Sequence, residues 1–91
     1  MPRYVYTLHA QLKLKKESAA KLGINKIKIE KIIQYPEALD ESEKPVIIAI
    51  GKLTETLSLN VPYRKVKDKV RIITFYPARR GRYESKILSG R

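Results

Sequence analysis

Cysteine and tryptophan are absent from this 91-residue chain, and histidine and methionine occur once each. Without cysteine there is no disulfide, no thiolate nucleophile and no sulfur-ligated metal. The lone His9 excludes a multi-histidine zinc site and a ribonuclease mechanism built on two imidazoles. The glycines, Gly23, Gly51, Gly81 and Gly90, form no phosphate-cradling loop with a Walker lysine, so ATP or GTP use is not expected. No metal or organic cofactor is expected. The longest unbroken apolar run is Val46–Ile50, too short to cross a membrane. No charged-then-apolar leader opens the sequence, and a cytoplasmic location is the expectation.

Acidic residues are also scarce. Nine Asp and Glu face 20 Lys and Arg, for a net charge of +11. A small domain with this balance repels itself, and an anionic partner relieves the repulsion. Nucleic acid is the commonest such partner, through lysine and arginine contacts to phosphate. Charge of this kind also serves solubility alone. Four of the carboxylates, Glu37, Asp40, Glu41 and Glu43, fall together and away from the basic segments. No acidic pair suggests magnesium-dependent nuclease chemistry. At this length, with 43% hydrophobic residues, one domain over residues 1–91 is expected, with 78–91 as a basic tail.

Residues 3–8 alternate, with Tyr4, Tyr6 and Leu8 on one face, and predict a strand. From His9 the period changes. Leu8, Leu12, Ala19 and Leu22 recur at helical spacing, and Gly23 stands where a helix ends in positive φ. Asn25 predicts the N-cap of a second helix, with Ile24 and Ile29 at the spacing of a hydrophobic staple. Pro36 ends that helix. Residues 37–45 predict an acidic connector. Val46–Ile50 reads as a strand buried on both faces, and Leu57–Val61 as a half-exposed one. Pro62 predicts a bulge or a sheet edge. The strand resumes over 63–66, Lys67-Asp68-Lys69 turns, and Val70–Tyr76 is the last strand, closed by Pro77. The expected fold is α+β, a two-layer sandwich of order β-α-α-β-β-β. Its sheet is mainly antiparallel, with two helices on one face.

The sharpest chemical feature is Pro77-Ala78-Arg79-Arg80-Gly81-Arg82-Tyr83-Glu84. Guanidiniums bind phosphate through paired hydrogen bonds at any working pH. A phenol beside them stacks on a base or transfers a proton. The other reading of this segment is a solvated tail. Arg64, Lys65, Lys67 and Lys69 put more positive charge on the adjacent hairpin, and if strands 55–66 and 69–76 pair, Arg64 and Arg71 approach one sheet surface. That hairpin also reads as a charged edge that resists aggregation. His9 sits at an element junction, either as a base near neutral pH or as a capping residue. Lys13 and Lys16 add charge on the first helix.

These residues suggest a family. Tyr6-Thr7-Leu8-His9-Ala10, Leu22-Gly23-Ile24, the helix Ile29–Gln34 and Pro36-Glu37 resemble the N-terminal half of the RelE/ParE toxin superfamily in its compact BrnT-like branch. Val70-Arg71-Ile72-Ile73-Thr74-Phe75-Tyr76-Pro77-Ala78-Arg79-Arg80, followed by Arg82-Tyr83-Glu84, resembles the last strand and tail of that branch. The resemblance implies a RelE-like fold and a toxin that cuts messenger RNA without metal, often on the ribosome. It also implies a partner antitoxin. The ribose 2′-hydroxyl attacks the scissile phosphate in such toxins. Carried over, Arg79, Arg80 and Tyr83 match the tail motif, Arg64 is a looser match to an arginine before the last hairpin turn, and His9 matches a histidine at the start of the first helix. Arg79 and Arg80 would bind the phosphate and Tyr83 or His9 would move protons. On charge alone, Arg64, Lys65, Arg71, Arg82, Lys13 and Lys16 are the candidates to hold the nucleic acid. The first helix departs from the family by ending in Leu22-Gly23 in place of Arg-Gly.

Three functions use the same charge. The first is a toxin-like endoribonuclease of a toxin-antitoxin system. The second is a non-catalytic RNA- or DNA-binding module on the same fold. The third is a protein-binding module for an acidic partner. An edge near Pro62 would also allow a homodimer.

Overall fold

The computed structural model describes residues 3–80. Within them the chain is an α+β fold with a mixed sheet and three helices. The elements are β1 (Arg3–Tyr6), α1 (Leu8–Leu14), α2 (Glu17–Lys21), α3 (Lys26–Gln34), β2 (Ala38–Asp40), β3 (Val46–Lys52), β4 (Leu57–Val66), β5 (Lys69–Ile72) and β6 (Tyr76–Arg79). The sheet runs β1-β5-β4-β3-β2, with β6 also paired to β4. Only β1 and β5 are parallel; the other pairings are antiparallel.

This order corrects the expected β-α-α-β-β-β in three places. The expected first helix is two helices. Ala10 and Ala19 are both buried, yet nine positions on one helix turn through about 900°, which sets them on opposite faces. Extended backbone at Lys16 (ψ 147) breaks the helix and lets both alanines face the core. Leu8 (70% exposed) and Leu12 (52%) accordingly face outward instead of forming the buried stripe. Gly23 (φ 70) closes α2 as expected, with Ile24 N–H donating to Ala19 O and Gly23 N–H to Ala20 O, a Schellman pair. The second correction is β2, a strand in the acidic connector that pairs with β3. The third concerns the last strand, which is interrupted at Ile73–Phe75 and resumes as β6 through Pro77. Pro62 is the cause. It lies in the interior of β4 and has no N–H for the ladder, and Ile73 N–H bonds its carbonyl at 3.0 Å. One extra residue on the β5–β6 side makes a bulge opposite it.

The core lies between the helices and one side of the sheet. Ala10, Ala19, Ile24, Ile29 and Ile32 meet Ala49, Leu59, Val61, Tyr63, Val70 and Ile72. Asn25 caps α3 by accepting from Lys28 N–H at 2.8 Å. A Cβ placed on Gly51 would stand 2.8 Å from Ile32 Cγ1, so α3 approaches β3 at a position that only glycine allows. Lys13, on α1, reaches across to the bulge. Its ammonium donates to Thr74 Oγ1 (3.1 Å) and to Phe75 O, and lies 4.9 Å from the Phe75 ring centre.

Candidate nucleic-acid interface

Strand alternation sends the other side chains of β1, β5 and β4 to the side away from the helices. Arg64 of β4 is directly opposite Arg71 of β5, and Arg71 is beside Val5 of β1. In the next row Val66 is opposite Lys69, and Lys69 beside Arg3. All six side chains are exposed. Neighbouring strands are about 4.8 Å apart, so four cations share one small patch. None of the four takes part in an ion pair with another described residue. Like charges directly opposite each other destabilise a sheet by roughly 0.2–1 kcal/mol. A groove of about 410 Å³ runs beside the patch, with apolar walls from Val5, Val66 and Leu8 and with Lys69 and Arg71 on its rim. The patch therefore offers phosphate-binding groups next to apolar surface.

The other end of β4 treats arginine differently. Arg80 turns to the same side of the sheet, but its side chain is only 19% exposed. Its Nη1 lies 3.2 Å from Glu37 Oε1 and 3.4 Å from Ser58 Oγ, and its N–H donates to Thr56 O. Arg79 is in register with Leu57, so alternation sends it to the helix side. The two consecutive arginines thus leave the strand on opposite sides. Ser58 and Arg64 are six residues apart along β4, about 20 Å at roughly 3.3 Å per residue. Arg80 and the Arg64–Arg71 pair are separate features.

The remaining candidates are scattered. His9 is exposed in the first turn of α1, where Thr7 is the capping residue. Thr7 Oγ1 donates to Ile73 O at 2.6 Å and anchors that turn opposite Pro62, away from Arg80. Lys13 is engaged with the bulge. Burial, and then the charge of Lys16, pull its pKa below the ordinary lysine value. Lys16 is exposed in the link between α1 and α2. Lys65 is exposed and alternates to the helix side, next to Tyr63. Arg82 and Tyr83 lie outside the described residues.

One member of the patch, Arg3, was not among the residues singled out from sequence. It meets Lys69 through the parallel β1–β5 pairing, which joins the first strand to one 66 residues later. No local pattern encodes that contact. The basic character of both segments was the only available signal. Among the described residues no three His, Cys, Asp or Glu side chains group as metal ligands, and no helix is long and apolar enough to cross a membrane. Comparison with protein-family models, with curated proteins and with solved structures finds no match for this chain.

Proposed function

We propose that this chain is an RNA-binding module that holds a single strand on the basic side of β1, β5 and β4. The observation that supports it is the Arg64–Arg71 pair, two exposed guanidiniums set directly opposite each other with no ion-pair partner among the described residues. An ion pair, as at Arg80 and Glu37, would neutralise such a pair if its purpose were structural. A phosphodiester takes two parallel hydrogen bonds from one guanidinium, and a second guanidinium facing it fits the next oxygen or the next phosphate. Val5, Val66 and Leu8 suit the sugar and base surfaces beside that backbone.

A toxin-like endoribonuclease of RelE type, held in check by an acidic antitoxin, shares this phosphate-binding half and adds proton transfer. The register neighbours of Arg64 and Arg71 are Val46 and Val5, neither of which moves a proton. Binding is the part of the reading that the geometry supports best. The test is fluorescence anisotropy of a labelled 12-nucleotide RNA over a salt series, with gel analysis of the same mixtures, with and without ribosomes and chelator. Four phosphate contacts give a log–log salt slope of about −2.8 for a single strand. Affinity indifferent to salt and to the Arg64→Ala, Arg71→Ala double substitution would overturn the proposal. Cleavage without metal would extend it to catalysis.

A further inference from the structure

On the helix side of the same end of the sheet, a second pocket of about 470 Å³ opens between α3 and the β4–β5 hairpin. Its wall is aromatic and apolar, from Tyr4, Tyr63, Ile33 and Val70. Its rim is basic, from Lys65, Lys67 and Lys69, with Asp68 the single acid. None of these three lysines pairs with a carboxylate among the described residues. Tyr63 is 4% exposed, and its hydroxyl makes no hydrogen bond to any described residue and is not fully buried, so it opens onto the pocket. A phenol that lines a cavity without a protein partner keeps its proton for water or a ligand. Burial, followed by Glu41 and Tyr4, raises its pKa above the ordinary tyrosine value, so it stays protonated. Tyr4 hydroxyl accepts from Gln34 Nε2 at 3.2 Å, which leaves its own proton to donate. The site therefore presents two phenolic donors, two ring surfaces and a cationic rim.

We infer that this pocket binds one nucleotide, with the base against Tyr4 and Tyr63 and the phosphate on the lysine rim. The volume lies within the usual range for small-ligand pockets. Stacking on an aromatic ring and donation to base carbonyls are the ordinary means of holding an unstacked base. Lys69 rims both this pocket and the groove on the opposite side, so a strand lying along Arg3, Lys69 and Arg71 passes the pocket mouth. In that form the inference rests on the RNA-binding reading and adds where a terminal or splayed base goes. Lys67 holds φ 58 in the hairpin turn, a conformation that the two-residue turn requires and that glycine adopts more readily.

The test titrates the full chain with AMP, with adenosine and with inorganic phosphate, and follows tyrosine ring resonances by NMR. AMP is expected to saturate and to shift the rings of Tyr4 and Tyr63. Adenosine and phosphate are each expected to bind at least tenfold more weakly than AMP. Tyr63→Phe is expected to weaken AMP about fivefold, since the loss is one neutral hydrogen bond. Lys67→Gly is expected to raise the melting temperature while weakening AMP, which separates ligand loss from misfolding. An absent AMP response, a phosphate response equal to it, or unchanged AMP affinity in both variants would overturn the inference. Oligonucleotide binding without an AMP response would overturn the pocket and leave the sheet-side reading intact. An AMP response without oligonucleotide binding would support the pocket and sink the sheet-side reading.

Discussion

The two ends of β4 place arginine on the same side of one sheet and use it in opposite ways. Near Ser58, the Arg80 side chain is mostly buried and bonded to Glu37 and Ser58. Near Val66, exposed Arg64 faces exposed Arg71, with Arg3 and Lys69 one row away. The residue type is the same; the surroundings differ. A partly desolvated guanidinium needs its carboxylate and hydroxyl, and holds β6 and the start of β2 to β4. An exposed guanidinium directly opposite another is unfavourable within the fold, and the proposed use of the pair is toward a phosphate outside it. Position relative to carboxylates, more than count of cations, separates the structural Arg80 from the arginines proposed to bind RNA.

The sharpest way to break this contrast is to exchange the outcomes. The Arg64→Ala, Arg71→Ala double variant should lose about 100-fold in RNA affinity, as two charge-assisted contacts disappear, with unchanged or slightly raised thermal stability. Arg80→Ala should do the reverse, lowering stability by about 1 kcal/mol with little effect on RNA affinity. Anisotropy and thermal melts on the same samples read both. A stability loss in the first variant, or a binding loss in the second, would break the comparison.

Next in size, Gly51→Ala tests the covered side of the sheet. Its Cβ would crowd Ile32, and overpacking of this kind costs about 1–3 kcal/mol, read as a lower urea midpoint. Lys13→Met sharpens the division between structural and binding cations on the helix side. It removes the donor to Thr74 and to the Phe75 carbonyl, and should cost about 1–2 kcal/mol with RNA affinity little changed. The smallest expected effect is at alkaline pH. Burial, then the hydrogen bond to Glu30 (2.6 Å), hold the Tyr6 pKa far above its ordinary value. The folded state therefore keeps a proton that the unfolded state releases above about pH 10. Stability from this group is complete below that pH and falls as pH rises through it. Tyr6→Phe should flatten that alkaline decline in a melt series.

How much of this was legible depends on the reach of each contact. The cap at Asn25, the stop at Gly23 and the bulge at Pro62 were readable because each is a local backbone requirement. The Arg64–Arg71 pair was readable for the same reason, since a two-residue hairpin fixes its register. The helix break at Lys16 was not, because it answers to the packing of Ala10 and Ala19 and not to propensity. β2 was hidden by its charge, although an edge strand of three residues tolerates such residues on its outer side. Lys69 was readable as hairpin charge, whereas its neighbour Arg3 was hidden by the long parallel pairing. Arg79 and Arg80 look like one motif in sequence, and strand alternation separates them.

The most direct measurement of where a ligand lies is the arginine side-chain Nε–Hε spectrum during titration with the 12-nucleotide RNA. Resonances of Arg3, Arg64 and Arg71 should shift together and saturate with the anisotropy curve, while that of Arg80 stays in place. Movement of Arg80 with Arg64 and Arg71 stationary would contradict the account.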